Sequence, residues 1–175
     1  NRPASADASS RHRRYRSFLR LSSMLGLPVV RNGRLLARVE RAVLTRDGRF
    51  LRGLVVRHGL GMARWIGAED VRILGEVSVI VDKSPGKLPK DADYALGMVQ
   101  DTGGMLLGYV TDVMLHPASR EVTALEVDLG PSESLLTGRL LACDFAVSAA
   151  EDEGLVMLGC GCSLEKPRGR GGEEA

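Results

Sequence analysis

Apolar and polar positions alternate in runs of strand length, and short turn signals separate these runs. From residue 33 to residue 56 the sequence reads "GRLLARVERAVLTRDGRFLRGLVV". Asn32-Gly33 at its start and Gly103-Gly104 at the equivalent place further along the chain suit turns that need a positive φ. Asp47-Gly48 marks the next turn. Runs of Val and Leu between turns of this kind are typical of strands. The pattern predicts a strand, a turn, a longer bent strand, a second turn and a third strand.

The same pattern returns 71 residues later as "GMLLGYVTDVMLHPASREVTALEV". Residues 25–56 align with residues 96–127 without a gap, and 10 of these 32 positions are identical. A chain of this composition would give roughly two or three identities by chance. Most identities are apolar residues or Gly, which indicates that a fold is repeated. The identical pairs are Leu25/Leu96, Gly26/Gly97, Gly33/Gly104, Leu35/Leu106, Leu36/Leu107, Val39/Val110, Leu44/Leu115, Arg49/Arg120, Leu54/Leu125 and Val56/Val127.

The later parts of the two copies, residues 65–82 and 140–158, match more loosely. Residues 68–70 suit a short helical turn before the last strands of the first copy. Antiparallel strands joined by tight turns must pair or close their edges, and a small barrel achieves this with about 70 residues. The sequence therefore predicts an all-β chain of two tandem small antiparallel β-barrels with short helical turns.

Composition places the boundaries of these domains. The N-terminal region is polar and rich in Arg, the region between the copies is rich in Pro, Gly and Lys, and the C-terminal region has few apolar residues. Such segments are typical of tails and linkers. We expect a flexible Arg-rich tail over 1–20, a first barrel over 21–82, a linker over 83–91, a second barrel over 92–164 and a disordered tail over 165–175.

Charge separates the two copies, although the net charge of the whole chain is only +2. Residues 1–90 hold 19 Lys and Arg against 7 Asp and Glu, whereas residues 91–175 hold 5 against 15. A basic first copy favours an acidic partner, either RNA or a protein surface. The same arginines are also compatible with a solvated surface, or with one that the acidic second copy neutralises.

Five residues of the first copy are candidates for an interaction surface. In a strand, alternate residues share a face, and a bend in the long strand would bring arginines of both parities together. Trp65 is the one Trp of the chain, and it either packs over a barrel end or anchors a partner. The candidate interaction residues are Arg34, Arg38, Arg41, Arg52 and Trp65.

No constellation of residues indicates catalysis, a cofactor or a metal site. Cys143, Cys160 and Cys162 lack an identifiable fourth ligand for zinc, and packing in a terminal strand accounts for them. His58 and His116 lie near turns, and no Ser or Cys is placed beside them as a nucleophile. We expect a protein that is not an enzyme and holds no cofactor. The odd number of cysteines, the absence of an apolar run of about 20 residues and the absence of a secretory signal favour a cytoplasmic protein without membrane insertion.

Several segments resemble the PRC-barrel family. The first copy has "LARVE" at 36–40, "GLVV" at 53–56 and "AEDVRILGE" at 68–76, and the second has "LGYVTD" at 107–112. The order and spacing agree with the family's pattern of an "LGxVxD" strand, a "GLVV"-like strand and a later "AEDVRxLGE" segment. The family includes the cytoplasmic domain of the photosynthetic reaction-centre H subunit, the C-terminal domain of a ribosome-maturation factor, and small bacterial and archaeal proteins.

The resemblance implies a docking role and no catalytic residue. We expect a tandem PRC-barrel adaptor or scaffold that docks onto protein partners through barrel edges and loops. The alternative is a ribosome- or RNA-associated assembly or processing factor, which would bind RNA or a ribosomal protein through the basic first barrel and the N-terminal Arg tail. The opposite charges of the two copies also allow a homo-oligomer in which a basic barrel binds an acidic one.

Overall fold

A computed structural model of the chain describes residues 18–130, 139–149 and 153–158. Nearly all regular structure in this part is strand, and two helices of the 3-10 type have three residues each. The strands are β1 (Leu19–Arg20), β2 (Pro28–Arg31), β3 (Arg34–Leu44), β4 (Leu51–Arg57), β5 (Arg64–Gly67), β6 (Val71–Leu74), β7 (Val79–Val81), β8 (Ala95–Gln100), β9 (Leu106–Leu115), β10 (Val122–Asp128), β11 (Leu140–Ala142), β12 (Phe145–Ala149) and β13 (Glu153–Leu158), and the 3-10 helices span Ser22–Met24 and Ala68–Asp70. The prediction of an all-β chain with short helical turns is confirmed.

The strands form two sheets of the same topology. The first sheet has the order β5-β4-β3-β2-β7-β6, and the second has the order β11-β10-β9-β8-β13-β12, with β1 added beside β9. Each sheet curls into a half-barrel. Because the two orders agree strand by strand, the sequence repeat is a repeat of one fold.

One pair of strands in each sheet is parallel, so the prediction of purely antiparallel barrels is wrong in this detail. β2 pairs with β7 through Val29 and Val79, and β8 pairs with β13 through Val99 and Val156. In the first sheet the 3-10 helix Ala68–Asp70 turns the chain after β5, and the β6–β7 hairpin then pairs along the edge of β2 that β3 leaves free. Turn signals predict pairing between consecutive strands, but they do not predict that the last strand returns beside the first.

The register of the strands also corrects the gapless alignment at its N-terminal end. Pro28 pairs with Arg38, and Met98 pairs with Tyr109. Because Arg38 and Tyr109 are equivalent at an offset of 71, Pro28 is equivalent to Met98 at an offset of 70. Four residues separate the paired Val30 and Leu35, whereas five separate the equivalent pair Gln100 and Leu106, and this extra residue accounts for the difference. The first two identical pairs of the alignment are therefore coincidental, and the other eight are structural equivalences.

Each sheet packs on an aliphatic core that contains one leucine from the other repeat. The core of the first sheet includes Leu54 and also Leu115, which lies at the end of β9 and is fully buried. The core of the second sheet includes Leu125 and also Leu44, which lies at the end of β3 and is 5% exposed. Leu44 and Leu115 are one of the identical pairs, so this exchange of leucines is reciprocal.

The backbone contacts between the sheets follow the same reciprocal pattern. Leu51 N donates to Arg120 O at 2.9 Å, and Val122 N donates to Arg49 O at 2.8 Å. Phe50 and Glu121 form an antiparallel bridge between these hydrogen bonds. Phe50 and Glu121 are equivalent at an offset of 71, and the same offset converts one of the two hydrogen bonds into the other. A pseudo-twofold axis therefore relates the repeats and passes near this bridge.

Two identical arginines complete this contact with their side chains. Arg49 Nη2 donates to Phe145 O, at the start of β12, at 2.8 Å. Arg120 Nη2 donates to Val71 O, at the start of β6 in the other sheet. Hydrogen bonds from a guanidinium to a carbonyl are charge-assisted and stronger than neutral ones. Each arginine therefore fixes the turn of its own repeat to the opposite sheet.

The segments before each sheet lie on the other sheet or between the two. Leu19 of β1 pairs with Leu115 of β9, although residue 19 falls inside the range predicted as a flexible tail. Gly86, within the predicted linker, forms a two-hydrogen-bond bridge with Trp65 of β5. The predicted tail over 165–175, and most of the one over 1–20, lie outside the described residues, so those boundaries stay predictions.

Candidate interaction surface

Trp65 lies between the first sheet and the segment that follows it. Its half-buried ring packs against Gly53, where an added Cβ would lie 2.3 Å from Trp65 Cζ2. The ring borders a small apolar cluster that includes Val55 and Ala92. The Arg52 guanidinium lies 5.6 Å from the ring centroid, within cation–π range. Of the two alternatives that the sequence leaves open, this placement corresponds to a packing role.

Two of the four predicted arginines are paired with acidic residues of the same chain. Arg52 holds Asp91 with both Nη atoms, at 2.8 and 3.0 Å, and Arg41 Nη2 contacts Asp93. The hydrogen bond from Arg52 lowers the pKa of Asp91 below its ordinary value. Because these charges neutralise each other locally, Arg41 and Arg52 contribute little to a basic surface.

The other two predicted arginines, Arg34 and Arg38, are exposed on β3. Arg38 Nη1 donates to Gly26 O at 2.9 Å, and Arg34 has no acceptor within the described ranges. Arg31, Arg34 and Leu36 border a shallow depression beside the β2–β3 turn. The five predicted interaction residues therefore fall into two separate groups, one at the segment after the first sheet and one on β3. Their role in binding stays a prediction.

An aliphatic row crosses four strands on the outside of the first sheet. Register places Leu35 beside Val30, Val30 beside Ile80 and Ile80 beside Ile73. Leu35 and Ile73, at the ends of the row, are each 51% exposed. Exposed arginines flank the row on the same strands. The first outer face is defined as Leu35, Val30, Ile80 and Ile73 with Arg38 and Arg72.

The equivalent face of the second sheet is broader and carries no charge in its two rows. Leu106, Gln100, Met157 and Ala146 form one row in register across β9, β8, β13 and β12. In a second row Tyr109 pairs with Met98 of β8 and Leu155 of β13 pairs with Ser148 of β12, and the β8–β13 ladder is irregular between these two pairs. Leu106, Tyr109 and Met98 are 54%, 52% and 42% exposed. The second outer face is defined as Leu106, Gln100, Met157, Ala146, Tyr109, Met98, Leu155 and Ser148.

Acidic residues border the second outer face. Asp101 lies at the β8–β9 turn, where its carboxylate accepts hydrogen bonds from two backbone amides. Glu153 begins β13, and its carboxylate lies against Gly97 of β8. Between residues 92 and 158, the two described arginines, Arg120 and Arg139, are both engaged elsewhere. The two outer faces thus occupy equivalent places in the fold, but one has a basic border and the other an acidic one.

A buried pair of carboxylates lies on another part of the second sheet. Asp112 and Glu126 are register partners and are 8% and 2% exposed. Arg20 Nη1 binds Glu126 Oε2 at 2.5 Å, Arg139 Nη1 binds Glu126 Oε1 at 2.8 Å, and Ser22 donates to Asp112 through both N and Oγ. These contacts satisfy the buried charges and fasten the segment around β1 onto the second sheet. They assign the pair a structural role.

The described ranges hold no group of three or more His, Cys, Asp or Glu side chains that could bind a metal ion. Cys143 is exposed, whereas Cys160 and Cys162 lie outside the described residues. No helix in the described part is long and apolar enough to cross a bilayer.

No protein-family model matches this chain, and no curated protein matches it.

The second outer face was not predicted from the sequence. The identical apolar positions predict a repeated barrel core, and Leu106 of this face is one of them, whereas Met98 and Tyr109 are not. The register separates the two sets, because Met98 and its partner Tyr109 are exposed whereas Val99, the next residue of β8, is fully buried. The available signal was that apolar residues occur at both parities of "LGMVQ" and "MLLGY", which one-sided burial does not require.

Proposed function

We propose that this chain is a non-enzymatic docking scaffold built from two barrels of PRC type. The single observation that carries the proposal is the second outer face. Soluble monomers rarely expose apolar patches larger than a few hundred Å², and larger ones mark interaction sites. Here eight neighbouring side chains on four strands present apolar and uncharged polar groups to solvent.

The residue types of this face suit protein recognition. Met adapts its shape to different partners and is common on surfaces that bind them. Tyr combines a large apolar ring with a polar hydroxyl and is enriched at interfaces. Met98 and Tyr109 are cross-strand neighbours at the centre of the face. The partner surface that fits is apolar at its centre and basic at its border, since Asp101 and Glu153 flank the face.

Affinity capture with full-length bait tests this proposal. We expect the wild-type chain to recover a protein partner in stoichiometric amount from a native lysate of its source. Tyr109→Glu should abolish the recovery because it places a charge in the apolar centre. The matched control Leu60→Glu changes a fully exposed loop residue of the first repeat and should recover as much partner as the wild type. Failure of the wild type to recover any stoichiometric protein would contradict the proposal.

A second candidate function is binding of RNA or a ribosomal particle through the basic first repeat. Exposed Arg34 and Arg38 beside the depression at the β2–β3 turn favour it. The pairing of Arg41 and Arg52 with Asp93 and Asp91 disfavours it, because these cations are already neutralised. Gel-shift titrations with ribosomal RNA at two salt concentrations test it, since phosphate contacts weaken steeply as salt rises. Absence of binding at low salt removes this candidate.

A further inference from the structure

The two outer faces of this chain complement each other. The first outer face has an aliphatic row with Arg38 and Arg72 beside it, and the second has apolar rows with Asp101 and Glu153 beside them. We propose that the first outer face of one copy binds the second outer face of another copy, so that the chain assembles head to tail. This inference rests on the proposed docking role of the second outer face and names its partner.

Charge favours this arrangement over a symmetric dimer of either face. A symmetric contact would bring Asp101 and Glu153 near their own copies, or Arg38 and Arg72 near theirs, and like charges across an interface cost free energy and slow association. The head-to-tail contact places opposite charges at the border and aliphatic rows at the centre. Hydrophobic centres with polar borders are the common anatomy of protein interfaces.

The two faces of a single chain are kept from binding each other. The sheets are joined through the β3–β4 turn and the β9–β10 turn, where Leu51 bonds Arg120 and Val122 bonds Arg49. The rows instead begin at Leu35 and Leu106, at the opposite ends of β3 and β9. Strands of this length extend about 30–35 Å. Each face therefore remains open to another molecule.

The arrangement predicts a specific type of assembly. A contact between different surfaces on two copies is heterologous, and it grows into rings or filaments unless an end is blocked. Association should rise with protein concentration and fall with salt, because the border charges are solvent-exposed and screened within about 10 Å at 0.1 M salt.

The test is sedimentation of nuclease-treated, full-length protein over a range of concentrations at low and high salt. The wild type should form species larger than dimers at low salt. Arg38→Glu blocks the first outer face and Tyr109→Glu blocks the second, so each variant alone should associate at least about tenfold more weakly. The controls Arg64→Glu and Leu60→Glu make the same kinds of change outside both faces and should behave as the wild type.

Mixing the two blocked variants gives the sharpest result. The Tyr109→Glu protein keeps an intact first outer face, and the Arg38→Glu protein keeps an intact second one. The mixture should form a discrete one-to-one dimer that cannot grow, which also shows that both variants are folded. A mixture that stays monomeric overturns the proposal.

Other outcomes are equally informative. A wild type that sediments as a monomer at every concentration overturns self-association. The docking role still stands in that case if the wild type captures a protein from the lysate and Tyr109→Glu does not. Loss of association in Tyr109→Glu but not in Arg38→Glu would indicate a symmetric dimer of the second outer face and overturn the head-to-tail contact. Higher species that are present in untreated protein and absent after nuclease treatment would indicate bridging by RNA, which also overturns the head-to-tail contact.

Discussion

Leu44 and Leu115 each pack in the core of the opposite sheet, which predicts that each leucine stabilises the sheet of the other repeat. Each leucine ends a long strand of its own repeat but packs in the core of the other sheet. Replacing either one with Ala should therefore destabilise the protein as much as truncating a leucine that is central to its own sheet, such as Leu125. A leucine that merely flanked a turn on the surface would contribute almost nothing.

The size of the effect follows from burial. Leu→Ala removes three carbons, which corresponds to about 2.4 kcal/mol of transfer free energy at about 0.8 kcal/mol each. An incompletely collapsed cavity raises the total to about 2.7–5 kcal/mol. Leu115 is fully buried, so we expect about 4 kcal/mol from Leu115→Ala. Leu44 is 5% exposed and adjoins a turn that can partly collapse, so we expect about 3 kcal/mol from Leu44→Ala.

Urea unfolding measures these losses, with the m-value checked for constancy. Leu60→Ala, at a fully exposed position, should change the free energy of unfolding by no more than about 0.5 kcal/mol. Native-state hydrogen exchange locates the destabilised sheet. Leu115→Ala should lower protection around Val56 in the first sheet more than around Val127 in the second. Losses below about 1 kcal/mol for both Leu44→Ala and Leu115→Ala would falsify the reciprocal packing.

Two further predictions concern the contacts around the first sheet. Gly53→Ala should destabilise the protein by about 1–3 kcal/mol through overpacking, because the new Cβ meets the Trp65 ring at 2.3 Å. The same substitution should shift the fluorescence of this single Trp. Gly86→Ala is the control, because its Cβ makes only an ordinary contact at 3.9 Å, and it should change neither the stability nor the fluorescence. The hydrogen bond from Arg52 lowers the pKa of Asp91. The stabilisation of the folded protein by this pair is therefore present above the pKa of Asp91 in the unfolded chain and is lost as pH falls through the folded pKa. An NMR titration should show a higher Asp91 pKa in Arg52→Gln than in the wild type, and an unchanged pKa would contradict the pairing.

Much of this fold follows from local signals in the sequence. The turns at Asn32-Gly33 and at Gly104 were predictable because Asn32, Gly33 and Gly104 have positive φ, and few other residues adopt it at low cost. The strand lengths followed from the apolar runs. The parallel return of β7 and β13 could not be predicted, because it depends on contacts between residues about 50 positions apart.

The interaction surface was harder to predict than the fold, for a physical reason. A basic charge on a strand is visible in the sequence, but its partner is not. Arg41 and Arg52 have the sequence pattern of surface cations, but in the structure they pair with Asp93 and Asp91. The sequence also does not show which face of the sheet an apolar side chain lies on, because a bulge can reverse it. One such bulge lies in the β8–β9 ladder between Val99 and Gln100.

The pseudo-twofold axis explains why two of the pairs stayed identical between the repeats. At a self-complementary contact one residue type must satisfy both halves, so a change in one copy leaves its counterpart unmatched. Leu44/Leu115 and Arg49/Arg120 are such positions, since each member completes the sheet of the other repeat. Arg49/Arg120 is the one identical pair that is neither apolar nor Gly, and a conserved barrel core alone would not account for it.

The same reasoning explains where the repeats diverged. Arg38 and Tyr109 are equivalent in the fold and lie on the two outer faces, which take no part in the contact between the sheets. Nothing in the pseudo-symmetric contact requires these faces to match, so they were free to acquire opposite charge. With opposite border charges around apolar centres, the two faces are specialised halves of the contact that we propose between copies. The variants Arg38→Glu and Tyr109→Glu test that specialisation directly.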